Sequence, residues 1–211
     1  GIKLIYSIED APLGTAGVVK NAEKYLDDAF LVLNGDIFTD LDITAMIAFH
    51  RERKAKATIA LTPVDDPTNY GLIETSAQGK VNCFLEKPSR DKITTNMINA
   101  GTYILEPDVL NRIPPQTNFS FERELFPLLL DQGEPVYAYP FAAYWIDIGT
   151  SEKYLQLHRD LLSGRSIQHS CPVGDEVMIG EQSSIDPTAE VKGPVLIGSN
   201  CTIGGKVKLI G

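Results

Sequence analysis

Cysteine and positive charge are scarce in this sequence of 211 residues. Its three cysteines, Cys83, Cys171 and Cys201, are widely separated and form no Cys-x-x-Cys pair. This spacing argues against a disulfide framework and a zinc site, and it favours a reducing, cytoplasmic environment. Acidic residues outnumber basic ones by 28 to 19, which gives a formal net charge of -9. Because nucleic acid is bound by basic surfaces, it is not expected as a partner.

Long apolar runs are also missing. No stretch approaches the roughly 18 residues that cross a membrane, and no signal-peptide pattern opens the sequence, so no membrane partner is expected. The composition, 43% hydrophobic and 22% charged, is typical of a globular protein. A chain of this length can bury a sizeable core without disulfides.

Up to about Gly164, strand-like apolar runs alternate with helical patterns. This alternation predicts an α/β fold with a Rossmann-like, doubly wound and mostly parallel sheet. A hairpin is predicted around residues 76–79. The strands are predicted at residues 3–7, 30–33, 58–61, 70–74, 80–85, 98–105 and 144–148. Helices are predicted at 13–26 and at 121–130, the latter with a Ser120 cap and a kink at Pro127. Two further helices are predicted from apolar faces, one formed by Ile43, Met46, Ile47 and His50, and one after the last strand formed by Tyr154, Leu155, His158, Leu161 and Leu162. His50 and His158 are therefore expected in the core or at an interface.

After Gly164 the pattern changes to a period of six. The aliphatic positions are Val173, Ile179, Ile185, Val191, Ile197, Ile203 and Leu209, and glycine follows at Gly174, Gly180, Gly198 and Gly204. Such hexapeptides predict a left-handed parallel β-helix of about two coils, with aliphatic side chains inside and glycines at tight corners. The sequence therefore predicts two domains, residues 1–165 and 170–211.

Two aspartates follow apolar strand patterns and are candidate metal ligands. Asp36 ends the run Leu-Val-Leu-Asn-Gly-Asp, and Asp147 lies in Trp-Ile-Asp-Ile-Gly. Carboxylates at the ligand edge of an open sheet can hold Mg²⁺, a hard ion that takes carboxylate and phosphate oxygens. Asn-Gly-Asp is equally typical of a turn capped by Asp36, and Asp147 alone is typical of a helix entry.

Further candidates have simple structural alternatives. Glu86 and Lys87 stand before Pro88, where they either bind a substrate or form a solvated ion pair. The glycines of Tyr70-Gly71 and Asn99-Ala100-Gly101 mark either close approach of a ligand to the backbone or a bulge. Gly14 and Thr15 open a helix whose amides either meet a nucleotide or form an ordinary helix start.

In this order, the motifs resemble the sugar-1-phosphate nucleotidyltransferase family, the NDP-sugar pyrophosphorylases, over nearly the whole chain. The mannose-1-phosphate guanylyltransferase branch is the most similar, so the resemblance implies GTP and mannose 1-phosphate as substrates. Thymidylyl or adenylyl transfer to glucose 1-phosphate is the alternative, and a non-catalytic regulatory relative is another. The implied product is a nucleotide-sugar, released together with pyrophosphate.

The resemblance also implies the site residues. Asp36 and Asp147 would hold Mg²⁺ and, with Lys87, carry the catalysis. Glu86 and Lys87 would bind the sugar phosphate, Gly71, Asn99 and Gly101 the sugar, and Gly14 and Thr15 the nucleotide.

One part of the family pattern is absent. The family's Gly-rich loop, with an Arg that grips the triphosphate, has no counterpart in this sequence, so the chain by itself is expected to be an incomplete and inactive fragment. An acyltransferase is a second rival, because hexapeptide helices often carry that activity, but the only histidine near the repeats is His169. The β-helix is therefore expected to serve packing or homo-oligomerisation.

Overall fold

A computed structural model describes residues 1–166 and 177–211, which form two compact units. The first unit consists of Gly1–Gly35 and Asp42–Ala142, and the second of Asp36–Leu41 and Ala143–Gly211. These units divide the chain elsewhere than at the predicted boundary between residues 165 and 170, since a short early segment belongs with the later residues. Val173 and Gly174, the first pair predicted for the hexapeptide repeat, fall outside the described residues.

The helices are α1 (Gly14–Asn21), α2 (Ile43–Arg53), α3 (Phe126–Asp131) and α4 (Ser151–Leu162). The strands up to α4 are β1 (Phe30–Leu33), β2 (Ile37–Thr39), β3 (Ala57–Pro63), β4 (Gly71–Thr75), β5 (Val81–Glu86), β6 (Met97–Leu105), β7 (Val136–Pro140) and β8 (Trp145–Asp147). The strands after α4 are β9 (Val177–Ile179), β10 (Ser184–Ile185), β11 (Glu190–Lys192), β12 (Val195–Ile197), β13 (Thr202–Ile203) and β14 (Lys208–Ile210).

The first unit is built on a six-stranded mixed sheet. Its order is β5-β4-β6-β3-β7, and β1 also pairs with β6. The prediction of a mostly parallel sheet is wrong, because only the β3–β7 pair is parallel. The predicted turn at residues 76–79 makes β4 and β5 an antiparallel hairpin, and β6 runs against all three strands that flank it.

The core of this unit is a cluster of aliphatic and aromatic side chains beneath β6. The ring of Tyr103 is fully buried and lies 5.2 Å from the ring centroids of both Phe121 and Phe126. Aromatic pairs at this separation contribute about 0.5–1.5 kcal/mol beyond the area that they bury. The cluster therefore ties the segment that begins at Phe121 to the middle of β6.

Local structure departs from the sequence prediction at two places. No strand forms at residues 3–7, since the described residues provide no neighbouring strand for it to pair with. Ser120 caps as predicted, accepting from the amides of Glu122 and Arg123. The helix after it begins with a π-helical turn, Phe121–Leu125, before α3. The widened turn comes just before Pro127, which has no N–H to donate.

In the second unit, six short strands form three parallel pairs. Val195 pairs with Val177, Thr202 with Ser184 and Lys208 with Glu190, so paired residues stand eighteen positions apart. This offset equals three hexapeptides and agrees with the predicted two coils. Ile197 is buried and Ile203 is half-buried, whereas Ile179 is 52% exposed at one end of the stack.

Only one of the described repeat glycines is required by close packing. A Cβ on Gly180 would lie 2.5 Å from the amide nitrogen of Ser199, whereas one on Gly204 would meet nothing within 4 Å. The left-handed backbone positions in this region are Gln182, Asn200 and Lys206. The prediction that glycines form the corners is therefore wrong for Gly180, Gly198 and Gly204, because the left-handed residue lies two places after each of them.

In the described ranges, no helix is both long and apolar enough to cross a bilayer.

His50 gives the first unit a pH-dependent stability. Its side chain is 2% exposed, Nδ1 lies 2.7 Å from the Thr58 hydroxyl, and Nε2 lies 3.3 Å from the Glu106 carboxylate. Burial lowers the pKa of His50 below its usual value, an effect that the nearby Arg51 reinforces and that Glu106 opposes. The folded state therefore favours the neutral imidazole more strongly than the unfolded chain does.

We expect the free energy of unfolding to fall as the pH drops below 6.5, the unperturbed pKa of histidine. The contribution of neutral His50 is complete above that value and is lost as the pH approaches the lowered pKa. Urea unfolding at pH 7.5 and 5.5 measures it, with His50→Gln as the non-titrating control. A difference between wild type and His50→Gln that is the same at both pH values would contradict this assignment.

Candidate functional site

The second unit brings two predicted metal ligands together. Strands β2 and β8 pair antiparallel, with Ile37 opposite Asp147, and the amide of Ile148 donates to the carbonyl oxygen of Asp36 at 2.8 Å. The sequence suggested that Asp36 ends the first apolar strand. In the structure, Asp36 instead lies directly before β2. Pairing between strands far apart in the chain is what makes the two aspartates neighbours.

Gly149 leaves space beside both carboxylates. A Cβ built on this residue would lie 3.0 Å from Oδ1 of Asp147 and 3.9 Å from Oδ2 of Asp36. The same Asp147 oxygen accepts the amide of Gly149 at 2.8 Å. A side chain at position 149 would therefore crowd the place where the two carboxylates approach one another.

A cation already lies next to Asp147. The Lys153 Nζ atom is 3.2 Å from Oδ2 of Asp147, whose side chain is 28% exposed. In the described ranges, no group of three or more His, Cys, Asp or Glu side chains could enclose a metal. Two carboxylates suit Mg²⁺, which takes one or two of them together with substrate phosphates, and do not suit an all-protein cage. The donor set therefore fits the predicted ion.

The first unit carries the predicted sugar-phosphate residues at one end of the β4–β5 hairpin. Gly71 and Glu86 are direct partners across the two strands. Lys87 follows with an exposed side chain and a φ of 44°, which places its backbone in the left-handed region. Lysine adopts that region rarely, and such positions cluster at functional sites. The backbone turn presents Lys87 away from the strand.

Asn99 and Gly101 belong to a bulge in β6. Ile59 pairs with Tyr103 but Leu61 pairs with Asn99, so β6 contains extra residues at this point, and Gly101 has a φ of 69°. The Gly101 amide donates to Oδ1 of Asn99 at 3.0 Å, and its carbonyl accepts the amide of Asn34 at 3.0 Å. The bulge, weighed above as the alternative to a ligand contact, is confirmed. Bulges often re-aim side chains beside active sites.

The start of α1 is packed against another segment. The amides of Ala16 and Gly17 both donate to the carbonyl oxygen of Phe119, at 2.9 and 3.1 Å. A Cβ on Gly17 would lie 2.5 Å from the Thr117 carbonyl oxygen. These two amides are therefore not free for a nucleotide, which corrects that part of the prediction. The glycines here allow close packing of backbone on backbone.

Glu122 was missed by sequence reasoning, which did not single it out. One carboxylate oxygen accepts from the hydroxyl of Tyr103 at 2.9 Å. The other accepts from the hydroxyls of Thr15 at 3.1 Å and Ser120 at 2.7 Å. Tyr103 in turn accepts from the amide group of Asn99 at 2.8 Å. Glu122 thus links predicted nucleotide and sugar residues that are over eighty positions apart.

A cleft of about 520 Å³ in the first unit lies apart from these residues. It is lined by the end of the β4–β5 hairpin, the residues before β6 and the end of β7, including Glu74, Thr94 and Pro140. None of the predicted substrate-binding residues lines it.

Comparison with known proteins agrees with the arrangement of strands and motifs. The pattern of the nucleotidyl transferase family matches residues 1–164. The chain is 35% identical to a mannose-1-phosphate guanylyltransferase of Mycobacterium tuberculosis and 36% identical to a UTP–glucose-1-phosphate uridylyltransferase of Synechocystis sp.. Each alignment covers all of this chain and 59% of the relative.

A solved structure shows the same fold. HddC from Yersinia pseudotuberculosis is 35% identical, with a TM-score of 0.60 over 70% of this chain and 62% of that protein. HddC has also been crystallised in complex with GMP-PN. The chain belongs to the nucleotidyl transferase family, and it spans 59% of the length of the two curated relatives.

Gly14 and Gly133 have nearly the same φ but different surroundings. Comparing alanine substitutions at the two positions therefore distinguishes the cost of backbone strain from the cost of close packing at α1. Gly14 has a φ of 70°, and a Cβ there would lie 2.8 Å from the Phe119 carbonyl oxygen, whereas Gly133, with a φ of 72°, has nothing within 4 Å. We expect Gly133→Ala to cost about 1–2 kcal/mol of unfolding free energy for the left-handed backbone alone. Gly14→Ala should cost about 1–3 kcal/mol more, from overpacking.

Chemical denaturation of both variants, beside wild type, measures the two terms. Equal losses for Gly14→Ala and Gly133→Ala would show that α1 moves away from the Phe119 segment at little cost.

Proposed function

We propose that the protein containing this chain transfers a nucleotidyl group from an NTP to a sugar 1-phosphate and releases pyrophosphate. The single observation that carries the proposal is the pairing of β2 with β8, which joins Asp36 and Asp147 in a member of the nucleotidyl transferase family. The absence of a side chain at Gly149, where a Cβ would lie 3.0 Å from Oδ1 of Asp147 and 3.9 Å from Oδ2 of Asp36, supports the use of both carboxylates.

In this reaction a phosphate oxygen of the sugar 1-phosphate attacks the α-phosphorus of the NTP. The bond between the α-phosphorus and the oxygen bridging to the β-phosphorus breaks, and pyrophosphate leaves. No protein nucleophile is required, so catalysis consists of positioning and charge stabilisation. Lys87 would hold the attacking phosphate as a point charge, and Glu86, Gly71 and the Asn99–Gly101 bulge would orient the sugar.

Asp36 and Asp147 would hold Mg²⁺, which when bound supplies positive charge to the α-phosphate. Gly149 keeps the approach to both carboxylates open, and its amide fixes the orientation of Asp147. Lys153 pairs with Asp147 and would place a positive charge beside the bound phosphates.

The proposal extends to the C-terminal strands. Their offset of eighteen residues supports a left-handed parallel β-helix, and the register places Met178 beside Leu196, both of which are exposed. An exposed apolar pair on the outside of a coil supports homo-oligomerisation through this region. These residues serve the assembly, and they contribute no group to the transfer reaction.

We expect Asp36→Asn and Asp147→Asn, in the protein containing this chain, each to lower the transfer rate by on the order of 10²–10³, with the fold retained. Each change keeps the side-chain size and removes the charge that holds the metal. Pyrophosphate release at several Mg²⁺ concentrations measures the effect, and exposed Asp65→Asn is the matched control. Near-normal turnover in both site variants would place the metal elsewhere.

We also expect GTP with mannose 1-phosphate to be the preferred substrate pair, because the sequence motifs resemble the mannose-1-phosphate guanylyltransferase branch most. The two relatives named for GTP and UTP chemistry are equally similar in sequence, at 35% and 36% identity, so identity does not decide the base. The measurement is kcat/KM for GTP, UTP, dTTP and ATP, each with mannose and glucose 1-phosphate. A clear preference for another pair would overturn this specificity, and transfer with none would overturn the enzymatic function itself.

A further inference from the structure

The carboxylate of Glu122 is the final acceptor of a hydrogen-bonded network. Two chains of donors lead to it. The Gly101 amide donates to Asn99, the Asn99 amide group donates to Tyr103, and the Tyr103 hydroxyl donates to Glu122. From the other side, the Phe121 amide donates to the Thr15 hydroxyl, which donates to Glu122. A carboxylate has only acceptor sites, so it can accept from both sides at once.

The network joins segments that carry separate parts of the proposed chemistry. Thr15 lies at the start of α1, on the nucleotide side, and Asn99 and Gly101 form the bulge of β6, on the sugar side. The carbonyl of Gly101 also accepts the amide of Asn34, so the loop after β1 is fastened to the same bulge. All of these residues lie in the first unit.

Packing makes the network stiff in the middle and leaves its ends accessible. Tyr103 is fully buried between Phe121 and Phe126, so its hydroxyl has one available position. Thr15 is exposed and Asn99 is half-buried. The two links of Asn99 also fix which end of its amide faces Gly101, and they leave one amide hydrogen for a ligand.

We propose that Glu122 is a positioning residue that locks the nucleotide-side start of α1 and the sugar-side bulge of β6 into one geometry. It touches neither substrate, and acts through Thr15 on one side and through Tyr103 and Asn99 on the other. Because an error of about 1 Å in reactant placement can cost about 10²-fold in rate, a fixed link between the two sides has direct consequences for transfer. This inference rests on the proposed function.

Glu122→Gln tests the link, because the swap keeps the shape and replaces one acceptor with an NH₂ donor. Whichever way the amide turns, that donor faces hydroxyls that themselves donate, and the Ser120 oxygen already accepts from two backbone amides. One arm of the network must then break. The matched control is Glu124→Gln, because Glu124 is exposed and accepts the Ser120 amide, a bond that glutamine can also accept.

In the protein containing this chain, we expect Glu122→Gln to lower kcat/KM by about 10- to 100-fold. The KM values for NTP and sugar phosphate should both rise, while the thermal midpoint stays within a few degrees of Glu124→Gln. A purely structural role would lower the midpoint and leave the KM values unchanged, which would overturn the proposal.

Tyr103→Phe cuts only the sugar-side arm and keeps the ring in the aromatic cluster. It should raise the KM for the sugar phosphate more than that for the NTP. In the double variant with Glu122→Gln, the losses should be clearly less than additive in free energy, because both act on one network. This variant also provides the test if Glu122→Gln does not fold.

The outcomes separate the two proposals. If wild type is active and Glu122→Gln matches it, or if the losses of the double variant are fully additive, the positioning role is overturned while the proposed function stands. If wild type transfers nothing with any substrate pair, the proposed function fails and the positioning role fails with it.

Discussion

The first unit is organised about strand β6 and the irregularity within it. This strand pairs with β1, β3 and β4, so a change in its backbone would alter the position of three other strands of the sheet. At Gly101 the backbone takes a φ of 69°, which side chains with a Cβ adopt rarely. The bulge that results turns Asn99 toward Tyr103 and places a carbonyl where Asn34 can bind it. A single glycine thus sets the spacing between the strand and the loop that follows β1.

The second unit shows how a site can depend on strand pairing more than on neighbouring residues. Asp36 and Asp147 are separated by most of the chain, and the ladder between β2 and β8 makes them adjacent. A buried acid nearby supports this arrangement. Asp160 accepts from Tyr144 at 2.8 Å and from Arg165 at 2.9 Å, and burial together with Asp160 raises the pKa of Tyr144 above its usual value. These contacts hold α4 and the residue before β8 in one arrangement.

Local patterns were sufficient for much of this structure. The hairpin turn, the Ser120 cap and the buried His50 each depend on a short stretch of sequence, and each is confirmed. The pairing of C-terminal strands eighteen residues apart is consistent with the predicted hexapeptide period. The direction of the strands could not be predicted in this way. Strand β6 runs antiparallel to its neighbours because of the topology of the whole sheet, which short stretches of sequence do not contain. The apolar face predicted for α4 is also wrong in part, since Tyr154, Leu155 and His158 are exposed while Leu157 is buried.

The candidate site shows the same division. Asp36 and Asp147 are predicted from their place after apolar runs, and Lys87 from its neighbours, since each lies in a recognisable motif. Glu122 could not be found in this way, because its partners Thr15 and Tyr103 are distant in the chain and its own surroundings are typical of any helix start. Likewise, the sequence suggested that the amides at the start of α1 could bind a nucleotide. In the structure, two of them donate to the carbonyl oxygen of Phe119, which is distant in the chain.

The constant offset of eighteen residues in the C-terminal strands has a consequence for how this part of the chain can change in length. Each residue's partner is set by the number of residues between the paired strands, so one residue added inside a strand would displace every later side chain from its partner. Insertion or removal of eighteen residues would restore all of the remaining pairs. Changes in the length of this region are therefore expected in multiples of eighteen residues, and single-residue variation is expected only in the turns between strands.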